Sequence, residues 1–444
     1  MRGAIAAGHP LTAEAGARVL RAGGNAVDAL LAAAFTAFVT EGPLTGPAAG
    51  GFMLIHEPGG KTTVLECFFA VPADRLGEME EVVIDFADSG TQIFHIGLGS
   101  VAVPGLLLGL EEAHRRFATR SWFDLVAPAV DLAREGFDRD EPRAFLHRIL
   151  KPILLHQDAG RRVYGDDTRV RTEDLVPTLE WVRDFGSAAV AELLPEFAED
   201  LQSYRVAAPE PLESSACGFR ILSMPRPSLG GAVVERILEL LDASGEPTLE
   251  DEVRAIADAY GSSGAGPLTG TTHISVVDGS GMAAALSSTL GSGSGIFRGG
   301  IQLNNMLGEL DVIGPGEHLP GERLASMMTP TLVLEGGRPR LVIGSAGSVR
   351  LAGAIAQVTW RILRGAHVSD AIRAPRVHVD GSTVHLEGGW SDEDARVLST
   401  DWDVVRWEGI NLFFGGVQAV ERTAAGVLFS AGDPRRGGLG LVVE

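Results

Sequence analysis

The chain has 444 residues, 45% of them hydrophobic, enough for a sizeable core in one large α/β body or in two or three domains. Its formal net charge of −21 comes from Asp and Glu spread along the sequence, which argues against nucleic acid and anionic membrane as partners. Cys67 and Cys217 lie in apolar, strand-like segments and read as reduced, buried thiols rather than a disulfide or a metal site.

Residues 1–60 read as helix, helix, strand. Thr12 or its neighbour is expected to cap AEAGARVLRAG, which Gly23-Gly24 stops. Asn25 caps AVDALLAAAFTAFVTE, whose apolarity on every side predicts burial between layers. Its longest apolar run, residues 29–39, is too short to cross a bilayer. The N-terminus lacks the apolar core of about 7–15 residues that a secretory signal needs, so a cytoplasmic location is expected. FMLIHEP and KTTVLECFF form a predicted hairpin. The loop before them carries no phosphate-binding fingerprint, and no cofactor is implied. A helical block runs from VAVPG at 101–105 to about residue 200, with its cap expected among Trp122-Phe123-Asp124. Strand returns at 213–247, followed by PRPSLGG and the helix AVVERILELLDA.

The stretch 261–295 carries the chemistry. Its first ten residues are nearly all small and read as a flexible linker. Thr271 to Val277 then alternates as a strand, Asp278-Gly279-Ser280-Gly281 is turn chemistry, and Met282 to Leu290 returns. A Gly-Thr junction directly behind a linker suits N-terminal nucleophile catalysis. Once the Gly270–Thr271 bond is broken, the α-amine of Thr271 becomes a base beside its own hydroxyl, titrating near ~7.7–8.0. The break can be self-made, by attack of the Thr271 hydroxyl on the Gly270 carbonyl. Glycine suits position 270 because strained backbone angles are open to it. Beyond the hairpin come GIQLNN, a strand pair in LASMMTPTLVLEGGRPRLVIGSAGS, the amphipathic helix VRLAGAIAQVTWRILRG and a strand-rich tail at 376–430.

PLTGTTHISVVD, Thr289 in STLGSGSG, GIQLNNM at 300–306, GSAG at 344–347 and the N-terminal GAIAAGHPLTAEAGARVLRAGGNAVDALLAAA together resemble the γ-glutamyltranspeptidase family. They stand in the family's order from Gly3 to about Gly438. The resemblance implies an α+β fold, the four-layer αββα sandwich of N-terminal nucleophile hydrolases, with two stacked, mainly antiparallel sheets between helical layers. It implies a proenzyme cut into a large segment, 1–270, and a small one, 271–444, within one body. The two subunits would form a heterodimer or its dimer.

By that resemblance Thr271 is the nucleophile, Thr289 hydrogen-bonds it, and Gly347 and Ser348 stand at the oxyanion pair through their backbone N–H groups. His273 shares the strand face of Thr271 by alternation and reads as a packing residue. His9 and His114 have nothing around them to suggest a metal. The glutamate clamp departs from the family. Phe68 takes the place of its arginine, Gly291 that of an asparagine, Met306 that of a glutamine, and Ala325 that of a serine; Glu309 and Ser326 are kept. The reading is therefore an amidase or acyltransferase acting on a small-molecule amide, with an acyl group other than simple γ-glutamyl. Two alternatives stand beside it. One is a true γ-glutamyl or glutathione hydrolase whose carboxylate is held by Arg226, Arg298 or Arg350; the other is a non-catalytic scaffold.

Overall fold

The computed structural model describes residues 2–85, 91–261, 270–314 and 318–444. Most of the expected linker, 262–269, lies outside the described residues. Alternating apolar and β-branched segments build two six-stranded sheets whose neighbouring strands are all antiparallel. In chain order the strands are β1 (Gly3–Ala7), β2 (Gly50–His56), β3 (Thr62–Cys67), β4 (Leu212–Ala216), β5 (Phe219–Ser223), β6 (Gly270–Asp278), β7 (Ala283–Gly291), β8 (Thr331–Glu335), β9 (Arg338–Ala346), β10 (Gly416–Arg422), β11 (Leu428–Gly432) and β12 (Leu439–Val443). The first sheet runs β12-β1-β6-β7-β2-β3 and the second β11-β10-β9-β8-β5-β4. Segments before and after residue 270 thus contribute strands to both sheets.

Helices α1 (Pro10–Arg21) and α2 (Ala26–Thr40) lie on the first sheet, with α3 (Trp122–Glu135) against α2 and α4 (Glu141–Ile149) further on. On the second sheet lie α5 (Gly230–Ser244) and α7 (Leu351–Leu363), with α6 (Leu249–Tyr260) against α5. The result is a four-layer αββα sandwich.

Period-2 patterning divides the central strand β6 between two cores. Ile274 and Val276 point into the cluster under α1 and α2, while Val277 joins the cluster between the sheets. Every residue of α2 is buried, as its uniform apolarity predicts. Its first turn is closed by a capping box between Asn25 and Asp28, and Asp278 at the β6–β7 turn accepts from the Ala26 N–H at 2.9 Å. One carboxylate therefore ties the hairpin to the helix that supports it.

Four local expectations are corrected. The cap of α1 is His9, whose Nδ1 accepts from the Leu11 N–H at 3.0 Å; Thr12 is buried inside the helix. The cap of α3 is Ser121, one residue before the expected group, accepting from Asp124 N–H. Cys217 sits in the β4–β5 turn with φ +50°, half-buried, whereas Cys67 is buried in β3. Helix α7 is buried on nearly all sides rather than amphipathic, because α5 and β9 enclose it.

Candidate active site

Thr271, the second residue of β6, is almost wholly buried and pairs in register with Thr289 of β7, just after an irregularity between Gly270 and Thr271. The Thr289 hydroxyl accepts from the Gly291 N–H at 2.9 Å, so its single proton is directed elsewhere. That proton goes to the carbonyl oxygen of Gly270. Close packing demands glycine at 270. A Cβ there would stand 2.7 Å from the Gly291 carbonyl oxygen and 3.3 Å from that of Pro43.

The next side chains alternate. Thr272 points toward α2 and donates its hydroxyl to Glu41 at 2.6 Å; Thr12 donates to the other carboxylate oxygen at 3.1 Å. Burial raises the Glu41 pKa against the opposing pull of Arg143 and these hydroxyls. His273 points between the sheets, as alternation from Thr271 predicts. Its ring rests where Gly344 of β9 has no side chain, held by Ser287 at 2.8 Å and Ser275 at 2.9 Å.

A cavity of about 20 Å³ touches Thr271 and is lined in part by Gly8, Glu41, Arg143, Ala346 and Arg436. That volume suits one water molecule and not an acyl chain. Gly347 follows Ala346 with φ +130°, and a Cβ there would lie 2.8 Å from Gly415 Cα. Ser348 begins the short helical turn Ser348–Arg350. Glu41, Arg143 and Arg436 are absent from the sequence reading, since nothing local marks them.

The family model described as gamma-glutamyltranspeptidase matches residues 12–186 and 250–443. The chain belongs to the γ-glutamyltranspeptidase family. It is 27% identical over 491 residues to the glutathione hydrolase proenzyme of Bacillus subtilis (strain 168), covering 87% of this chain and 82% of that one. It is 25% identical over 542 residues to the acylase ACY 1 proenzyme of Pseudomonas sp. (strain SE83), covering 100% and 94%. The crystal structure of cephalosporin acylase from Bacillus halodurans superposes with a TM-score of 0.84 at 21% identity, covering 100% of this chain and 96% of that one, a likeness of fold. The chain is thus an enzyme of the N-terminal nucleophile hydrolase class.

Within this γ-glutamyltranspeptidase fold, the expected clamp residues fall into two groups, and only one joins Thr289. Gly291, with φ +70°, is bonded to Thr289, and a Cβ there would meet Asn305 Oδ1 at 2.2 Å. The Asn305 amide oxygen fills that space and accepts from Ser292 N–H at 2.8 Å and Gly293 N–H at 3.0 Å. Glu309 accepts from the Ser292 hydroxyl at 2.7 Å beside it. The other group faces away from the cavity. Phe68 is fully buried between the sheets, stacked on Phe52 at 5.1 Å, and Met306 belongs to the same apolar cluster. Ser326 is buried and pairs with Ser228, with Ala325 half-buried before it. None of these four lines the Thr271 cavity.

His9, His147 and His273 are all buried, and desolvation, aided by nearby arginines at His9 and His147, pushes each pKa down to about 3. A folded-state pKa below the ordinary value means stability is complete above about pH 6.5 and lost as pH falls toward 3. Each group then contributes a slope of about 1.4 kcal/mol per pH unit. Urea midpoints measured at pH 7.5 and 5.5 should therefore fall steeply, by several kcal/mol in stability. Equal midpoints would show that the three rings accept protons without unfolding.

Proposed function

We propose that the chain cuts itself between Gly270 and Thr271 and then uses Thr271 as an N-terminal nucleophile toward a small-molecule amide. The observation that carries this reading is the hydrogen bond from Thr289 to the Gly270 carbonyl. It polarises the carbonyl of the bond to be broken, and the same hydroxyl stabilises the oxyanion that forms there. Thr271 Oγ attacks the Gly270 carbonyl carbon, the C–N bond breaks, and the proton passes to the Thr271 nitrogen. Water then hydrolyses the ester, leaving the Gly270 carboxylate and a free amino-terminal threonine.

In turnover the freed amine takes the Thr271 hydroxyl proton as oxygen attacks the substrate amide. Backbone N–H groups of Gly347 and Ser348 receive the carbonyl oxygen, and the amine returns the proton to the leaving nitrogen. Water or a second amine resolves the acyl-enzyme. The cavity of the intact chain, about 20 Å³, fits a precursor that takes no substrate before cleavage. Both segments build both sheets, so 1–270 and 271–444 would stay together as one body. Other relatives named as proenzymes support the cut, and the relative named as an acylase supports acyl transfer from an amide.

Purified protein should run as two fragments on a denaturing gel, the smaller beginning Thr-Thr-His on terminal sequencing. A chain that stays whole after long incubation sinks the nucleophile assignment.

A further inference from the structure

Five arginines converge behind the Thr271 cavity, and they outnumber the carboxylates that meet them. Arg435 takes Glu387 through Nε at 2.7 Å and through Nη2, and also reaches Asp433 at 3.2 Å. Arg376 takes the other oxygen of Asp433 at 2.6 Å. Arg143 is satisfied by the carbonyl oxygens of Gly8 and Arg436, and Glu41, the remaining acid, is bonded to Thr272 and Thr12. Arg436 and Arg350 are left over. Among the described residues neither guanidinium has an acid within ion-pair distance, and the buried Nε of each has no hydrogen-bond partner. Arg350 is 8% exposed and stacks on Phe413 at 4.2 Å. Arg350 is dry and the Nε edge of Arg436 is shielded from water, and a bound anion would offset the cost of leaving that charge unpaired.

Arg436 is placed to use that charge. It lines the cavity beside Thr271, and its Nη2 lies 3.5 Å from the Cβ position of Gly347. Its stem runs along Gly416, where a Cβ would strike Arg436 Cδ at 2.5 Å. Arg350 closes the helical turn that starts at Ser348. Arg298 cannot serve the same role, because Glu196 engages it through both terminal nitrogens at 2.7 and 2.8 Å.

We propose that Arg436 is the anion-recognising residue of the acyl site: the acyl group ends in a carboxylate held by Arg436, with Arg350 adding to the positive field behind Gly347. This rests on Thr271 as nucleophile and on cleavage opening the cavity beside it. It places the carboxylate on the second sheet's side of the site, away from Phe68.

The test uses cleaved enzyme and p-nitroanilides of succinic, glutaric and adipic half-acids, each against the matching terminal carboxamide, which has the same shape without the charge. At the preferred chain length the acid should exceed its carboxamide at least tenfold in kcat/KM. Arg436→Met should bring that ratio within threefold of one, and Arg436→Lys should keep part of it. Free glutarate should compete with substrate on the wild type, and glutaramide should not, a comparison that needs no variant. A cleaved, active wild type with no preference for the acid at any length overturns the Arg436 assignment and leaves the nucleophile standing. So does an Arg436→Met enzyme with the ratio intact. An uncleaved, inert chain overturns both.

Discussion

Thr271→Ala should yield a single 444-residue chain on a denaturing gel and no measurable amide hydrolysis. The substitution removes the only hydroxyl proposed to attack, both in the self-cutting step and in turnover. Loss of a covalent nucleophile lowers the rate by at least about 10⁴-fold. Thr271→Ser keeps a hydroxyl three bonds from the new amine and should still cut, more slowly. Thr289→Val separates attack from polarisation. It removes the donor to the Gly270 carbonyl and keeps the β-branched shape that suits β7. Cutting should slow by about 10²–10³-fold, the usual effect of losing one oxyanion donor. A time course on gels resolves the three variants. If Thr289→Val cuts as fast as wild type, the bond to Gly270 is structural only.

The β6–β7 hairpin is legible because each of its signals is local: alternation, an Asp-Gly-Ser-Gly turn and threonines at facing positions. The two-sheet sandwich follows from the same kind of signal, repeated in the 324–348 strand pair, and from resemblance along the whole chain, whereas the short strand in GIQLNN forms a separate two-stranded sheet with Phe297–Arg298. The surroundings of Thr271 are not legible in this way. Thr272 and Glu41 are 231 residues apart, and Arg143 and Arg436 are 293 apart, so no window contains either pair. Chain position marks Phe68 for the pocket, but apolar contact with Phe52 and Phe69 draws the ring into the inter-sheet core. Gly291 also reads differently in three dimensions. The Asn305 amide oxygen occupies the space a side chain at 291 would fill and accepts from the Ser292 N–H. His9 escapes the capping rule because Ser, Thr, Asp and Asn dominate that position, which draws attention to Thr12 instead.

Arg435→Met should destabilise the fold by about 3–5 kcal/mol, the range for removing one partner from a buried ion pair. The Arg435 side chain is fully buried, with Glu387 on one side and Asp433 on the other, and donates to the carbonyls of Ile372 at 2.7 Å and Ala374 at 3.0 Å. Methionine fills much of the volume but leaves Glu387 buried with only the backbone N–H groups of Arg376 and Asn411. Asp433 would then depend on Arg376 alone among the guanidiniums. Arg298→Met is the matched control. Its pair with Glu196 is partly exposed, and such pairs contribute about 0–1 kcal/mol. Both changes are best measured as urea midpoints in the Thr271→Ala chain, where no cut fragment can dissociate during unfolding. A loss under about 1 kcal/mol for Arg435→Met would mean that water or a neighbouring arginine reaches Glu387. Arg436 is the nearest spare guanidinium in sequence. If it swings inward to take up that carboxylate, Arg435→Met in the cleaved enzyme with Thr271 intact should also lose the preference for a carboxylate-ended acyl group. The same substitution would then test the stability of the network and the spare charge beside Thr271 together.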